Sequence, residues 1–449
     1  MTHLRATMVL AITLVSCSRG GNSRGDTSIA QQATPVPAVP RYPAGLAAYQ
    51  VAPWAELPAA CTTPSAQDIG PCLQHFVNRG HVLGLVTLVD DPRLGLRIDT
   101  AGGFSSKGIF QIMSMTKPFV AVAIMKLVEQ HRIPSVDARV ASLHGLEDFP
   151  YSQVTLKQLL THTSGVWYWR EVRPGVRTGI ASHLTNKLDN EPGVTARDKS
   201  LDFVARHYAN PRLYPLGDTA PQYSNIGYTL LGWIVERVSG QPFDRYITSE
   251  ILAPLGMTDT FFFPDSASAE QRARIVDLDR RLADPPEYAH YGKLRPGWRY
   301  PSPEGGLYST AADLRQFMLL FRHQGLAPGH PRVLTPASVA LLTQDQAPAA
   351  DYAGVVVTKC ASRIGRSLGF FVVRTGECAD WPGLSAGSIQ HDGRFSTDFW
   401  YDPVRDRIGV FLYQAVSNYS STPGVAENDA FKQKLAAMDH AAPSRPNER

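Results

Sequence analysis

Cysteine is scarce in this chain, with five among 449 residues, and no Cys-Cys-His-His spacing suggests a zinc site. An excess of one charge is lacking too: 44 Lys+Arg against 40 Asp+Glu leaves +4, with no long basic run. That gives no reason to expect nucleic acid as a partner. No internal repeat is visible. Beyond one short N-terminal run, no segment is long and apolar enough to cross a bilayer. What remains is ordinary globular composition, 43% hydrophobic and 19% charged, at a length suited to one large or two interleaved domains.

At the N-terminus Arg5 precedes the apolar stretch Met8–Val15, which has the length of a signal-peptide core rather than of a membrane span. Leu14-Val15-Ser16-Cys17 resembles a bacterial lipobox. The resemblance implies that 1–17 is removed as a signal peptide, that Cys17 carries lipid, and that Ser18 directs the protein to an outer membrane. The expected address is the bacterial cell envelope. The plainer alternative is an ordinary signal peptide with an incidental Cys17. Residues 18–60, rich in Ser, Gly and Pro, read as a flexible tether. In an exported protein the other four cysteines read as two short-loop disulfides, Cys61–Cys72 and Cys360–Cys378.

Further on, Leu85–Val89 and Leu94–Ile98 flank Asp90-Asp-Pro-Arg93 and predict a hairpin. Helical signals follow: 154–165 ending at Gly165, Ile226–Ser239 with Gly240 as its terminator, and a helix from Leu314 behind Thr310-Ala-Ala-Asp313. Residues 166–200 are polar and irregular, headed by Trp167, Tyr168 and Trp169, which either line a pocket or pack in a core. Phe399–Tyr401 and Ile408–Tyr413 predict a second hairpin, and Glu427–Met438 a closing helix. Strands at both ends with helices between predict an α+β fold. In it, 61–110 plus 300–440 form a sheet domain, 111–299 is an inserted helical domain, and 441–449 is a disordered tail.

The most apolar helix opens at Met113-Ser114-Met115-Thr116-Lys117-Pro118 and runs through Phe119–Val128 with Lys126 as its one polar residue. Such a helix belongs inside a domain. Ser114 is a good N-cap there. It also stands three residues before Lys117, which puts hydroxyl and amine on one face. A hydroxyl needs a base to become a nucleophile, and a lysine buried at a helix N-terminus has lowered proton affinity. Two further elements follow. Tyr223-Ser224-Asn225 precedes the helix at Ile226, where Asn225 could be no more than a cap. His391-Asp392-Gly393 precedes strand-like sequence, and could be no more than a turn.

Together, Ser114-x-x-Lys117, Tyr223-x-Asn225 and His391-x-Gly393 resemble the three signature elements of the serine β-lactamase and penicillin-binding-protein superfamily, in its class C-like branch. Leu159–Gly165, Tyr223–Gly232, Leu252–Met257, Gly305–Leu314 and Phe399–Pro403 agree, and the resemblance covers roughly 65–415. It implies a β-lactamase/transpeptidase-like antiparallel sheet flanked by helices, with an inserted all-helical domain. It implies Ser114 as the nucleophile that is acylated, Lys117 and Tyr223 sharing general base and acid work, and Asn225 holding the substrate amide or ester. The backbone N–H groups of Ser114 and Arg394 would form an oxyanion hole. Gly393 would let substrate approach the strand. Neither metal nor organic cofactor is expected.

Most β-lactamases of the superfamily carry Lys where His391 stands. A histidine there is mostly neutral at pH 7, and Asp392 adds negative charge if it faces the cleft. Both favour neutral esters or D-amino-acid peptides over penicillins. His162 reads as a structural hydrogen-bonding residue. Gly383-Leu-Ser385-Ala-Gly387 matches the nucleophile elbow of α/β-hydrolases. It lacks the strand-to-helix context, and only His440 follows a downstream acid, so an α/β-hydrolase using Ser385 is the remote alternative. The expected function is a serine hydrolase acting through an acyl-enzyme on ester, amide or peptidoglycan-like substrates. A catalytically inactive cell-wall-binding lipoprotein of the same fold is the non-enzymatic alternative.

Overall fold

Leu85, Thr87 and Val89 point to one side of their strand, and Val86 and Leu88 to the other. All five are buried, so both faces of this strand are covered. The computed structural model describes residues 59–166, 169–173, 176–179, 200–208, 223–279, 299–327, 329, 331–346, 363–374, 382–415 and 425–441.

Among the described residues the central sheet has seven strands: β1 (Leu85–Asp91), β2 (Gly95–Ala101), β7 (Ile364–Arg366), β8 (Phe371–Val373), β9 (Ile389–Gly393), β10 (Thr397–Asp402) and β11 (Arg407–Leu412). Their order is β2-β1-β11-β10-β9-β8-β7 and every pairing is antiparallel. Both hairpins read from the sequence are present, as β1–β2 and β10–β11. Two small pairs lie outside this sheet: β3 (Phe110–Gln111) with β6 (Tyr308–Ser309), and β4 (Trp169–Arg173) with β5 (Val176–Gly179). The β4–β5 hairpin differs from the irregular stretch expected at 166–200. Its strands are short and polar, so no apolar alternation marks them, although Pro174-Gly175 between them is turn chemistry.

Five helices matter for the site. On one face of the sheet lie α1 (Ile69–Asn78) and α5 (Val425–Ala441). Their Phe76 and Phe431 pack with Leu85, Val89, Trp400 and Phe411. The Cys61–Cys72 disulfide ties the chain before α1 to α1 itself. Cys17, Cys360 and Cys378 lie outside the described residues.

On the other face lie α2 (Lys117–Glu129), α3 (Asn225–Ser239) and α4 (Ala311–Arg322). Every residue of α2 from Lys117 to Met125 is buried. Phe119 stacks on Phe317 of α4 with ring centroids 3.7 Å apart, and Phe317 meets Phe399 of β10 at 6.0 Å. Each such side chain contributes about 1.5–3 kcal/mol by burial. α3 ends at Gly240 in the left-handed conformation, as its sequence position requires. Among the described residues no helix is long and apolar enough to cross a membrane.

Candidate active site

The first motif forms a tight turn before a helix. Met113–Thr116 is 3₁₀, and α2 starts at Lys117 with Pro118 in its first turn. Ser114 therefore makes no N-cap bond. Its Oγ lies 2.9 Å from the Lys117 amine, which also donates to the Glu304 carbonyl at 2.7 Å. Met113 sits at φ +49°, uncommon for a residue with a side chain. That backbone is held by Met113 packing with Leu278 and Phe395.

The second motif is set by a different cap from the one expected. Ser224, not Asn225, caps α3, accepting from the Gly227 N–H at 2.9 Å and donating to the Val166 carbonyl at 2.6 Å. Asn225 is the first residue of α3 and half-buried. The Ser224 N–H donates to His162 Nδ1 at 3.0 Å, and the His162 ring packs on Tyr223 with centroids 4.5 Å apart. His162 is thus the structural hydrogen-bonding residue the sequence suggested. It accepts through Nδ1, so its proton is on Nε2. The Lys117 amine lies 4.8 Å from the centre of the Tyr223 ring, which brings the first two motifs together.

The third motif ends β9 rather than making a turn. The turn comes one residue later, where Ser396 N–H donates to the Gly393 carbonyl at 3.0 Å with half-buried Arg394 inside it. A Cβ on Gly393 would lie 2.3 Å from the Ile112 carbonyl and 2.2 Å from Thr397 Oγ1. The room this glycine leaves is filled by the turn leading to Ser114, so it fixes how closely β9 approaches the serine. β8 pairs with β9 only at Phe371–Gln390 and Val372–Ile389. Beyond that point the β9 edge at His391–Gly393 has no strand partner on this side among the described residues. An exposed strand edge can bind an extended ligand.

His391 is buried and donates from Nδ1 to the Asp392 carbonyl at 2.8 Å, leaving Nε2 as the acceptor nitrogen. Burial, with the cations Arg366 and Lys117 nearby, pushes its pKa well below the usual range, so it is neutral. Asp392 is exposed and pairs with Asp398, so strand alternation puts it on the face of Lys432 in α5, opposite that of His391. The expectation that Asp392 charges the cleft required the other face.

Two charged residues of this site escaped the sequence reading. Glu304 is buried, and its carboxylate accepts from Tyr300 Oη at 2.9 Å and Thr229 Oγ1 at 3.1 Å. Arg366 is fully buried, with its guanidinium 3.7 Å from the Phe371 ring centre and 5.4 Å from that of Tyr223. Burial drives the Lys117 amine well below its ordinary value; Glu304 opposes that shift and Arg366 reinforces it. A neutral amine 2.9 Å from a hydroxyl can take its proton.

Ser385 of the G-x-S-x-G match lies elsewhere. Its hydroxyl donates to Asp402 at 2.9 Å and is also bonded by Arg405, with no histidine in the cluster. A cavity of about 540 Å³ is likewise separate, lined by Phe321, Asp345, Val372, Arg374, Ile389 and Tyr401 among others, with no serine, cysteine or histidine among the described residues that line it. Among the described residues no group of three or more His, Cys, Asp and Glu could hold a metal ion.

Comparison with known proteins gives a consistent result. Residues 73–434 match the Beta-lactamase family. Penicillin-binding protein 4 of Amycolatopsis lactamdurans is 28% identical over 346 residues, 76% of this chain and 79% of that protein. Esterase EstB of Burkholderia gladioli is 32% identical over 202 residues, 44% of this chain and 47% of the esterase. Among solved structures, EstCE1, a hydrolase with promiscuous acyltransferase activity, superimposes with a TM-score of 0.61 at 20% identity, over 82% of this chain and 97% of that one.

Proposed function

Because the match over residues 73–434 makes this chain a member of the beta-lactamase family, we propose that it is a serine hydrolase working through an acyl-enzyme on ester or amide substrates. One observation carries the reading: the buried Lys117 amine lies 2.9 Å from Ser114 Oγ. Lys117, with Tyr223 against it, takes the Ser114 proton as Oγ bonds to the substrate carbonyl carbon. The same pair returns the proton to the leaving group, and water then repeats the sequence on the acyl-enzyme. Asn225 holds the substrate amide or ester, and the Ser114 and Arg394 N–H groups receive the developing oxyanion.

Within this reading, esters and D-amino-acid amides are favoured over β-lactams. The neutral, buried His391 supplies no fixed cation for a penicillin carboxylate. The similarity to the esterase over 44% of this chain supports the ester side. The envelope address and the Cys17 anchor belong to the same proposal, and Cys17→Ala should release the protein from the membrane fraction.

The test is hydrolysis of short-chain p-nitrophenyl esters. Ser114→Ala should lower kcat/KM at least about 10³-fold, and Ser385→Ala should leave it unchanged. Retained activity in the Ser114 variant would overturn the reading. An inactive parent that takes no covalent label from a fluorescent penicillin or a fluorophosphonate would favour a binding role.

A further inference from the structure

Lys117 is buried with no carboxylate within ion-pair distance among the described residues. Charged and titratable groups nonetheless face it from every side. Tyr223 precedes α3, and Tyr228 lies within α3 with its ring centre 5.6 Å from the amine. His162 lies below Tyr223. Arg366 comes from β7, and His391 and Asp392 from β9. Glu304 comes from the loop before β6. Three of these are neutral by their setting: the two histidines are buried, with one nitrogen committed to backbone, and Tyr228 donates to the Leu160 carbonyl. Asp392 lies on the far face of its strand and exerts a weaker pull on Lys117 than Glu304 or Arg366 does.

Besides Tyr223, already placed in the reaction, Glu304 and Arg366 remain, and both are buried. Glu304 is tied to Lys117 through the chain itself, because the residue that carries the carboxylate also presents its backbone carbonyl to the amine at 2.7 Å. Its carboxylate is held by the Tyr300 and Thr229 hydroxyls. Arg366 lies over the Tyr223 ring, the ring that Lys117 also faces, so the guanidinium and the amine share one aromatic neighbour.

We propose that Glu304 and Arg366 are opposed positioning residues that together decide at what pH Lys117 is free to take the Ser114 proton. This rests on the reading of Lys117 as the base in the proposed function. Glu304 favours the ammonium form, which cannot take a proton. Arg366 favours the neutral form and so permits turnover. The depressed proton affinity of Lys117, with Glu304 raising it and Arg366 lowering it, agrees. Neither residue touches the reacting atoms. Burial raises the Glu304 carboxyl pKa and Lys117 opposes that rise. In low dielectric a buried charge shifts a neighbour's titration by about one pH unit or more.

The experiment compares Glu304→Gln and Arg366→Met in two readouts, with Arg366→Lys as the charge-keeping control. The first is the acid limb of kcat/KM for a p-nitrophenyl ester. The second is the titration midpoint of Lys117 by NMR in protein labelled at lysine ¹³Cε, assigned by the resonance missing in Lys117→Arg. Glu304→Gln should move both about one unit to lower pH and Arg366→Met about one unit to higher pH, with Arg366→Lys near the parent. Glu304→Ala gives the same neutralisation if the Gln variant does not fold. A lowered rate with unmoved limbs and midpoints, or shifts of the same sign in both variants, overturns the proposal. If the parent hydrolyses nothing through Ser114, the functional reading fails. The NMR midpoints still decide this inference.

Discussion

Two of the buried lysines, on opposite sides of the central sheet, are treated differently. Lys432, on α5, sits 2.6 Å from the Asp398 carboxylate, 3.2 Å from Gln390 Oε1 and 5.0 Å from the Trp400 ring centre. Lys117, at the start of α2, has a hydroxyl and a backbone carbonyl but, among the described residues, no carboxylate at bonding distance. Burying a charge is costly unless it is paired, and the unpaired one shifts toward its neutral form. One sheet face therefore places its amine where it holds structure, and the other places it where it can exchange a proton. Asp91 and Arg407 repeat the structural pattern between β1 and β11, buried and 2.7 Å apart.

The largest effect that would sharpen this contrast is on rate. Lys117→Met should reduce kcat/KM for an ester by about 10²–10⁴-fold while changing Tm little. It removes a costly buried amine and leaves one carbonyl without a donor. A variant that kept its rate would break the comparison at its functional end.

Lys432→Met should do the reverse. It strands Asp398, 2% exposed, with only Asn428 among the described residues to donate to it. Breaking a buried pair from one side costs about 3–5 kcal/mol. Urea unfolding should show that loss, and kcat per folded molecule should be unchanged. Adding Asp398→Asn should restore part of the stability, because replacing both charges is far cheaper than removing one. A single variant as stable as the parent would show that the pair does not hold the fold.

How much of this was legible in the sequence follows the same division. Ser114 and Lys117 stand three residues apart where a tight turn opens an apolar helix, so their meeting is local geometry that spacing reveals. The β1–β2 and β10–β11 hairpins and α3 with its Gly240 terminator are local in the same sense. The cap of α3 was assigned one residue too late, because Ser224 and Asn225 are both capping types and only the backbone distinguishes them. β7 and β8 are three residues each, too short for alternation to show. Glu304 and Arg366 were missed for a deeper reason. Pro303-Glu304-Gly305 and Gly365-Arg366-Ser367 look like solvated loop sequence, and only packing between distant segments buries their charges. The strand face of Asp392 likewise needed the register against β10.

The smallest effect concerns a third buried charge, and it extends the contrast from amines to carboxyls. Asp313 lies in the first turn of α4 and accepts only neutral donors, the Asp259 N–H and Thr260 Oγ1, each at 2.8 Å. Like Glu304, it is buried with hydroxyl or amide partners and no bonded cation among the described residues. Burial pushes its pKa up to about 6, against the smaller opposing pull of those hydrogen bonds. A carboxyl whose folded pKa lies above its unfolded value favours folding in its protonated form. Its contribution is therefore complete below about pH 4 and is lost as pH rises through about 6. That loss should be on the order of 2 kcal/mol between pH 4 and 7. Asp313→Asn keeps the acceptor oxygen but cannot ionise. Urea unfolding of parent and variant should coincide near pH 4, and the variant should become the more stable by pH 7. Parallel profiles would mean that Asp313 stays ionised in its setting, and that neutral donors alone can hold a buried carboxylate in this fold.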